Sequence, residues 1–200
     1  MATSSKALEA LFISKVRLKV LSLFLSNPGS FLYVRELVRL LDEEVNAVRR
    51  ELTRLQKIGL LRSEELANRL YYQLRTDFMF YPELIRLFAK TTDVGGDIIA
   101  QAAELGKVKH ALLAAAFVKG RVARAHEVDL LMVGRIHSQV LVQLIKEAQT
   151  RHGHEINYTI MTDEEFTFRK KRRDPFVLSF LQQTWINILG DEEEAVKMEH

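Results

Sequence analysis

The chain has 200 residues, of which 48% are hydrophobic and 28% are charged, the balance of an ordinary globular protein. It contains no cysteine, which excludes disulfides, thiolate zinc sites and cysteine nucleophiles. No apolar run reaches about 18 residues and no charged-then-apolar leader opens the chain, so we expect a cytoplasmic protein without a membrane partner.

The net charge of +3 is spread unevenly along the chain. The first 90 residues hold 15 Lys and Arg against 10 Asp and Glu, whereas the remainder hold 14 against 16. The positive excess therefore lies in the first part of the chain, where a module that contacts phosphates would need it.

The first segments predict a helix, a turn and a short strand. Residues 7–12 are apolar enough to pack, and Ser14 is of the residue type that caps a helix, here one over residues 15–25. The run SNPGS at residues 26–30 is a turn. Residues 31–33 then predict a short strand.

Two short helices follow, one at residues 34–41 and a second of roughly 14 residues, with an acidic turn at residues 42–44 between them that caps the second. The second helix has an apolar stripe at helical spacing, made of Val45, Val48, Leu52 and Leu55. At about 100° per residue, the opposite face carries polar and basic residues, namely Asn46, Arg50, Thr53, Arg54 and Lys57. One side of this helix therefore packs into a core and the other is exposed and basic.

A hairpin is predicted after the second helix. Gly59 stands where a helix cap needs a residue able to adopt a left-handed conformation. Two strand-like runs, LLRSE at residues 60–64 and LYYQL at residues 70–74, flank a polar tip near Asn68. Helix, turn, helix and hairpin predict a winged helix, and a basic helix of roughly 14 residues fits the DNA major groove.

The run RRELTRLQKIGLL, followed by NR and YYQL, resembles the recognition helix and wing of winged-helix transcription regulators of the ArsR/MarR-like kind. The partner implied is double-stranded DNA. We expect base edges to be read by Asn46, Arg50 and Thr53. We expect phosphates to be contacted mainly by basic residues on the same elements, namely Arg35, Arg54, Lys57, Arg62 and Arg69. A protein-interaction module without a DNA role stays open, because some winged helices bind only protein.

A homodimer is expected as well. One winged helix reads only a short half-site, and useful specificity normally comes from two copies related by symmetry. The apolar N-terminal segment around Leu8, Leu11 and Phe12, together with the helix predicted from residue 81 to about residue 90, is the natural dimer surface.

The run TTDVGG at residues 91–96 predicts a linker. We therefore divide the chain into a DNA-binding domain at residues 1–90 and a second domain at residues 97–200. After a helix at residues 97–105, the second domain has strand-like runs at residues 108–117, 127–133 and 155–161, although the alanines of the first run would tolerate a helix. Helical runs lie between the last two and after them, and residues 176–189 predict a closing helix or strand. This order predicts a small α/β domain with a mixed sheet, and an α+β chain overall.

The second domain resembles a minimal nucleotidyltransferase of the polymerase-beta superfamily. That family carries G-S-x-A-R-G on a strand-to-helix turn and, about six residues later, S-D-x-D-L on the next strand. Laid without gaps on this chain, the motif falls on AAFVKG at residues 115–120 and on HEVDL at residues 126–130. The resemblance implies a Gly-Ser turn that holds nucleotide phosphates and carboxylates that hold two divalent metals.

Most of that motif has changed. The Gly-Ser pair reads Ala115-Ala116, the first aspartate reads Glu127, and the position of a third aspartate reads Asn157. These changes remove the hydroxyl, the freedom of the glycine and one carboxylate, and they predict a catalytically inactive domain.

Four residues remain candidates for a reduced site. Lys119 and Gly120 are candidate nucleotide contacts. Glu127 and Asp129 are candidate metal ligands, because carboxylates at alternate strand positions point to the same side. The alternative is that both carboxylates face solvent from a half-buried strand. No cofactor is expected beyond weak binding of magnesium or a nucleotide.

Two further patterns are less specific. The five consecutive basic residues at 169–173 are typical of a phosphate contact or of a solvated helix end. His152 and His154 have no third metal ligand nearby, so we expect them to be surface residues. We expect Trp185 to lie in the core.

Taken together, the patterns predict a sequence-specific DNA-binding transcription regulator. Its second domain would be catalytically inactive and would serve dimerisation, ligand sensing or partner binding. The alternative is an active, antitoxin-like nucleotidyltransferase that a winged helix targets. The substitutions at Ala115, Ala116 and Asn157 favour the regulator.

Overall fold

The computed structural model describes residues 4–121, 127–153 and 155–197. The chain divides into two compact units, Met1–Phe88 and Ala89–His200. Helices and two separate sheets, one of them mixed, make the fold α+β, as predicted. In the described part of the chain, no helix has the length and apolar character needed to cross a membrane.

The N-terminal unit packs helices against a small antiparallel sheet. Its elements, in chain order, are α1 (Ser4–Leu11), α2 (Lys15–Ser26), β1 (Phe31–Tyr33), α3 (Val34–Leu41), α4 (Val45–Lys57), β2 (Leu61–Leu66) and β3 (Arg69–Leu74), followed by α5 (Tyr81–Ala89). The strand order is β1-β3-β2, and β2 and β3 form a hairpin in which Leu61 pairs with Leu74 and Leu66 with Arg69. The predicted helices, first strand and hairpin of this part of the chain are confirmed.

The apolar stripe of α4 enters the core, as its spacing predicted. Val48 and Leu52 are fully buried and Leu55 nearly so, whereas Val45 at the first turn is half-buried. The helix ends in a Schellman motif, in which the amide of Leu60 donates to the Leu55 carbonyl and the amide of Gly59 to that of Gln56. Gly59 has a φ of 83°, the left-handed conformation that this cap requires.

A buried carboxylate, Glu51, joins α4 to α2. It accepts hydrogen bonds from the Ser14 hydroxyl at 3.1 Å, from Arg17 Nε at 2.8 Å and from Arg54 Nη1 at 2.9 Å. Burial alone raises the pKa of Glu51, but the bonds from Arg17 and Ser14 outweigh burial, so the pKa lies below its ordinary value. Ser14 also caps α2 as predicted, because its hydroxyl accepts from the Arg17 amide.

The C-terminal unit is built on a four-stranded mixed sheet. Its elements are α6 (Asp93–Ala100), β4 (Gly106–Ala114), α7 (Ala115–Val118), β5 (Leu130–Ile136), α8 (Ser138–His152), β6 (Tyr158–Met161), α9 (Asp163–Lys171), α10 (Pro175–Gln182), β7 (Trp185–Leu189) and α11 (Glu192–Val196). The order is β6-β5-β4-β7; β5 and β6 are parallel and the other pairs are antiparallel. Leu112, Leu131 and Val133 of the central strands pack with Phe166 of α9 and, as predicted, with Trp185.

Several predictions for this unit are wrong in part. The strand predicted at residues 108–117 ends at Ala114, immediately before α7, and the strand predicted at residues 155–161 begins only at Tyr158. Residues 93–96 of the predicted linker form the first turn of α6, where Gly95 is buried and a Cβ would lie 1.9 Å from the Ala89 carbonyl oxygen. The strand predicted at residues 127–133 begins only at Leu130, so Glu127 and Asp129 precede it. Residues 176–189 contain both a helix and the strand β7, because Gln183 and Thr184 interrupt the run.

Replacing Glu51 by Gln should lower the free energy of unfolding of the N-terminal unit by about 1.5–3 kcal/mol at neutral pH, the range for hydrogen bonds to a buried charge. Since the folded-state pKa is depressed, this stabilisation is complete above the ordinary value of 4.5 and is lost as the pH falls through the folded-state pKa. Urea unfolding of the full chain at several pH values measures the difference.

The matched control is Glu65→Gln, which changes an exposed carboxylate of the hairpin and should leave stability within about 0.5 kcal/mol. A loss for Glu51→Gln that is the same at pH 3 as at pH 7 would contradict the role given to the charged carboxylate.

Candidate functional site

The exposed face of α4 carries the residues that the sequence placed there. Asn46, Arg50, Thr53 and Lys57 are all exposed, opposite the buried stripe. The N-terminus of the helix is capped by Glu44, whose carboxylate accepts from the amides of Asn46 at 2.9 Å and Ala47 at 2.8 Å. These two hydrogen bonds hold the pKa of Glu44 below its ordinary value. The acidic turn therefore caps the helix, as predicted.

The basic side chains of this unit fall into two groups. Arg35, Arg49, Arg50 and Lys57 form no ion pair with any residue in the described ranges. By contrast, Arg54 is paired with Glu51, and Arg62 donates from Nε and Nη2 to Oε1 of Gln73, at 3.1 and 2.7 Å. These four cations lie on α4 and at the start of α3, and Lys15 on α2 and Arg39 at the end of α3 likewise form no ion pair within the described ranges. Two of the predicted phosphate contacts, Arg54 and Arg62, already have partners within the fold.

A concave surface of about 620 Å³ lies between α3, α4 and the hairpin. Its lining residues are Tyr33, Val34, Arg35, Arg49, Thr53, Asn68, Arg69, Leu70 and Tyr72. Three of them are arginines and none is Asp or Glu. The Arg69 guanidinium lies over the Tyr33 ring, 4.8 Å from its centroid. This concave surface is therefore cationic and joins the exposed face of α4 to the hairpin tip.

Arg49 belongs to this surface, although the sequence analysis did not select it. It follows Asn46 by three residues and precedes Thr53 by four, which places it on their side of the helix. Helical periodicity alone could have placed Arg49 on the exposed side of α4. It lies at the edge of that side, next to the hairpin. Only the position of the hairpin makes it a lining residue.

The hairpin is held by its turn and by one bond to α4. Ala67 and Asn68 have φ values of 47° and 62°, as in the two-residue type I′ turn that suits a right-twisted hairpin. The Gln56 amide of α4 donates to the Ser63 hydroxyl of β2 at 2.8 Å. This bond helps to position Arg69 beside the helix.

In the C-terminal unit, the motif position at residues 115–120 coincides with the turn from β4 into the short helix α7. Ala115 is buried, and its amide donates to the Thr184 carbonyl at 3.0 Å. Lys119 and Gly120 follow the helix and are exposed, and Gly120 has a φ of 76°. The first amide of this turn is therefore engaged within the fold, and Lys119 is open to solvent.

The strand that was predicted to place the two candidate metal ligands on one side begins only after them. Glu127 pairs with Arg121 at 2.9 Å. Asp129 is buried, and its carboxylate accepts from the Asn157 amide at 2.9 Å. Both residues precede β5, so the alternation of a strand does not apply to them. Within the described residues, no group of three His, Cys, Asp or Glu side chains is placed to hold a metal ion.

A small recess of about 260 Å³ lies beside Glu127, lined by Glu127, Val128, Phe176, Ser179, Phe180 and Gln183. The basic run at residues 169–173 does not form one surface. Lys170 is buried, and its Nζ donates to the carbonyls of Glu194, Ala195 and Lys197, each at 3.2 Å. His126, His154 and the His152 side chain lie outside the described residues.

In comparisons with known proteins, no family model, curated protein or solved structure matches the chain. The cationic surface of the N-terminal unit and the altered motif of the C-terminal unit are consequently the features from which a function is assigned.

Proposed function

We propose that the N-terminal unit is a winged helix that binds double-stranded DNA and makes this chain a transcription regulator. The observation that carries the proposal is the concave surface beside α4, which is lined by Arg35, Arg49 and Arg69 and by no Asp or Glu. A row of phosphates is the natural partner of such a surface, because each neutralised phosphate releases a condensed counterion.

The dimensions of α4 support a major-groove position. Its 13 residues span about 20 Å, and one face is free of core contacts. Asn46, Arg50 and Thr53 are assigned to base edges, where Asn reads adenine and Arg reads guanine with two hydrogen bonds each. The phosphate contacts are assigned to the unpaired cations nearest the groove, namely Arg35, Arg49, Lys57 and Arg69. Arg54 and Arg62 are secondary phosphate contacts, because each would have to leave Glu51 or Gln73.

Replacing Arg50 by Ala should weaken binding to a selected operator by about 1–3 kcal/mol and relax the preference at the base that Arg50 reads. Replacing Lys57 by Ala should instead weaken binding to all sequences alike. It should also reduce the slope of the logarithm of affinity against the logarithm of salt concentration by about 1, the value for one lost phosphate contact. Fluorescence anisotropy over a series of salt concentrations measures both effects.

The control is Arg75→Ala, which removes a cation that is already paired with Asp77. It should bind the operator as tightly as the parent. Unchanged operator binding by Arg50→Ala would refute the assignment of bases to this face of α4.

We propose that the C-terminal unit does not transfer nucleotides and serves dimerisation, ligand sensing or partner binding. In the family it resembles, a Gly-Ser turn orients the triphosphate and carboxylates hold two metals. The Ala115 amide bonds to Thr184, Glu127 pairs with Arg121, and the Asp129 carboxylate holds the Asn157 amide. Each group is thus committed to a contact within the chain. Lys119 and Gly120 support at most weak binding of a nucleotide.

We expect no labelled nucleotide to pass from any ribonucleoside triphosphate to the chain, a co-purified protein or RNA, with magnesium or manganese present. Gel autoradiography of the full chain measures this, with Asp129→Ala as the comparison. Robust labelling that disappears in Asp129→Ala would replace this proposal with the antitoxin-like enzyme. Labelling that persists in that variant would point to a contaminating enzyme.

The homodimer is proposed with a corrected surface. Leu8 is buried within its own unit and Phe12 packs on Phe88 at 6.0 Å, so neither is the main contact. Leu11 is 71% exposed and Ile13 is fully exposed, at the link between α1 and α2. Contact with a second copy here would remove both side chains from water, which is favourable in proportion to the apolar area buried.

Sedimentation velocity at micromolar concentration should show a dimer, and Ile13→Asp should shift it towards monomer because a charge replaces a buried contact. Ile58→Asp changes an exposed isoleucine elsewhere and should leave the dimer intact. A chain that sediments only as monomer, with and without DNA, would refute the dimer.

A further inference from the structure

The outer face of the N-terminal sheet carries three aromatic residues. The register pairs Tyr33 with Tyr71 and Phe31 with Gln73, and cross-strand partners share one face of a sheet. The alternate residues of β3, Tyr72 and Leu74, are buried and face the helices. Phe31, Tyr33 and Tyr71 therefore lie together on the face opposite the core.

These rings form a partly exposed stack. Phe31 and Tyr71 are nearly parallel, with an interplanar angle of 8° and centroids 4.7 Å apart. Tyr33 lies 5.5 Å from Tyr71 at a tilt of 60°. Phe31 keeps 36% of its surface exposed, and the two tyrosines are half-buried. A flat apolar ring is thus presented to solvent at the edge strand β1.

Guanidinium groups flank the rings. Arg69 lies over Tyr33 at 4.8 Å, and Arg62 is held beside Phe31's partner Gln73 by two hydrogen bonds. Glu64, the cross-strand partner of Tyr71, is the acidic residue of this face. Aromatic plates with cations at their sides are the combination that holds a single strand, because bases stack on the rings and phosphates pair with the cations.

We propose that this face, defined by Phe31, Tyr33, Tyr71, Arg62 and Arg69, binds unpaired bases of a single-stranded nucleic acid. The three rings are not among the duplex contacts proposed for α4, so this proposal does not rest on duplex binding. Tyr33 and Arg69 also line the concave surface, so the two surfaces are continuous. A protein is the other class of partner that could cover this face, and the absence of saturable strand binding in the test would favour it.

The test uses the full chain and labelled oligothymidylate and oligouridylate of twelve nucleotides, at low salt, with fluorescence anisotropy as the readout. Both strands should bind. Tyr71→Leu and Phe31→Leu, which keep an apolar side chain but remove the ring, should each weaken binding by about tenfold or more. Tyr71→Phe should retain binding, and so should Lys15→Ala, a control that removes an exposed cation from α2 and not from the sheet.

A second measurement avoids dependence on the folding of any variant. Photocrosslinking of the unaltered chain to a strand containing 5-iodouracil, followed by mass spectrometry, should place the adduct on Phe31, Tyr33 or Tyr71. No saturable binding at low salt would overturn the proposal, and so would leucine variants that bind like the parent. Adducts confined to α4 would also overturn it, since the strand would then occupy the duplex surface. Duplex binding is measured separately, so failure here leaves the proposed regulator intact.

Discussion

The buried Glu51 carboxylate is the interaction on which the N-terminal unit depends. A carboxylate removed from water is destabilising unless other groups satisfy it, and here Ser14, Arg17 and Arg54 do so. Because two of these partners lie at the start of α2, the bonds fix the rotation of α4 against α2. That rotation determines which face of α4 enters the core and which remains exposed. The position of Arg50 in water is a consequence.

The exposed face carries an electrostatic cost that a ligand would remove. Arg35, Arg49, Arg50 and Lys57 have no ion-pair partners among the described residues, and like charges held near one another repel. Arg54 of the same helix is instead neutralised by Glu51. The concave surface beside α4 is lined by three arginines and by no acidic residue. A regularly spaced array of negative charge fits this distribution.

Periodicity and turn chemistry predicted the helices, the cap at Gly59 and the hairpin, because local residue order determines these features. Contacts between distant segments were not predictable in the same way. Glu51 lies beside an apolar stripe, and only its partners on α2 explain its burial. Asp129 was expected on a strand, but its carboxylate holds the Asn157 amide ahead of β5. Gly95 lies in a run whose composition is typical of a linker, yet it belongs to α6 and packs closely against the Ala89 carbonyl.

The central claim is that α4 reads a particular DNA sequence, and selection from a random duplex library by the full chain at physiological salt tests it most directly. After several rounds, sequencing should reveal one motif with two related half-sites, about one helical turn from centre to centre. If fragments were retained without any enriched motif, the exposed face of α4 would bind DNA only through nonspecific contacts with phosphates. Absence of retention even at low salt would contradict DNA binding altogether.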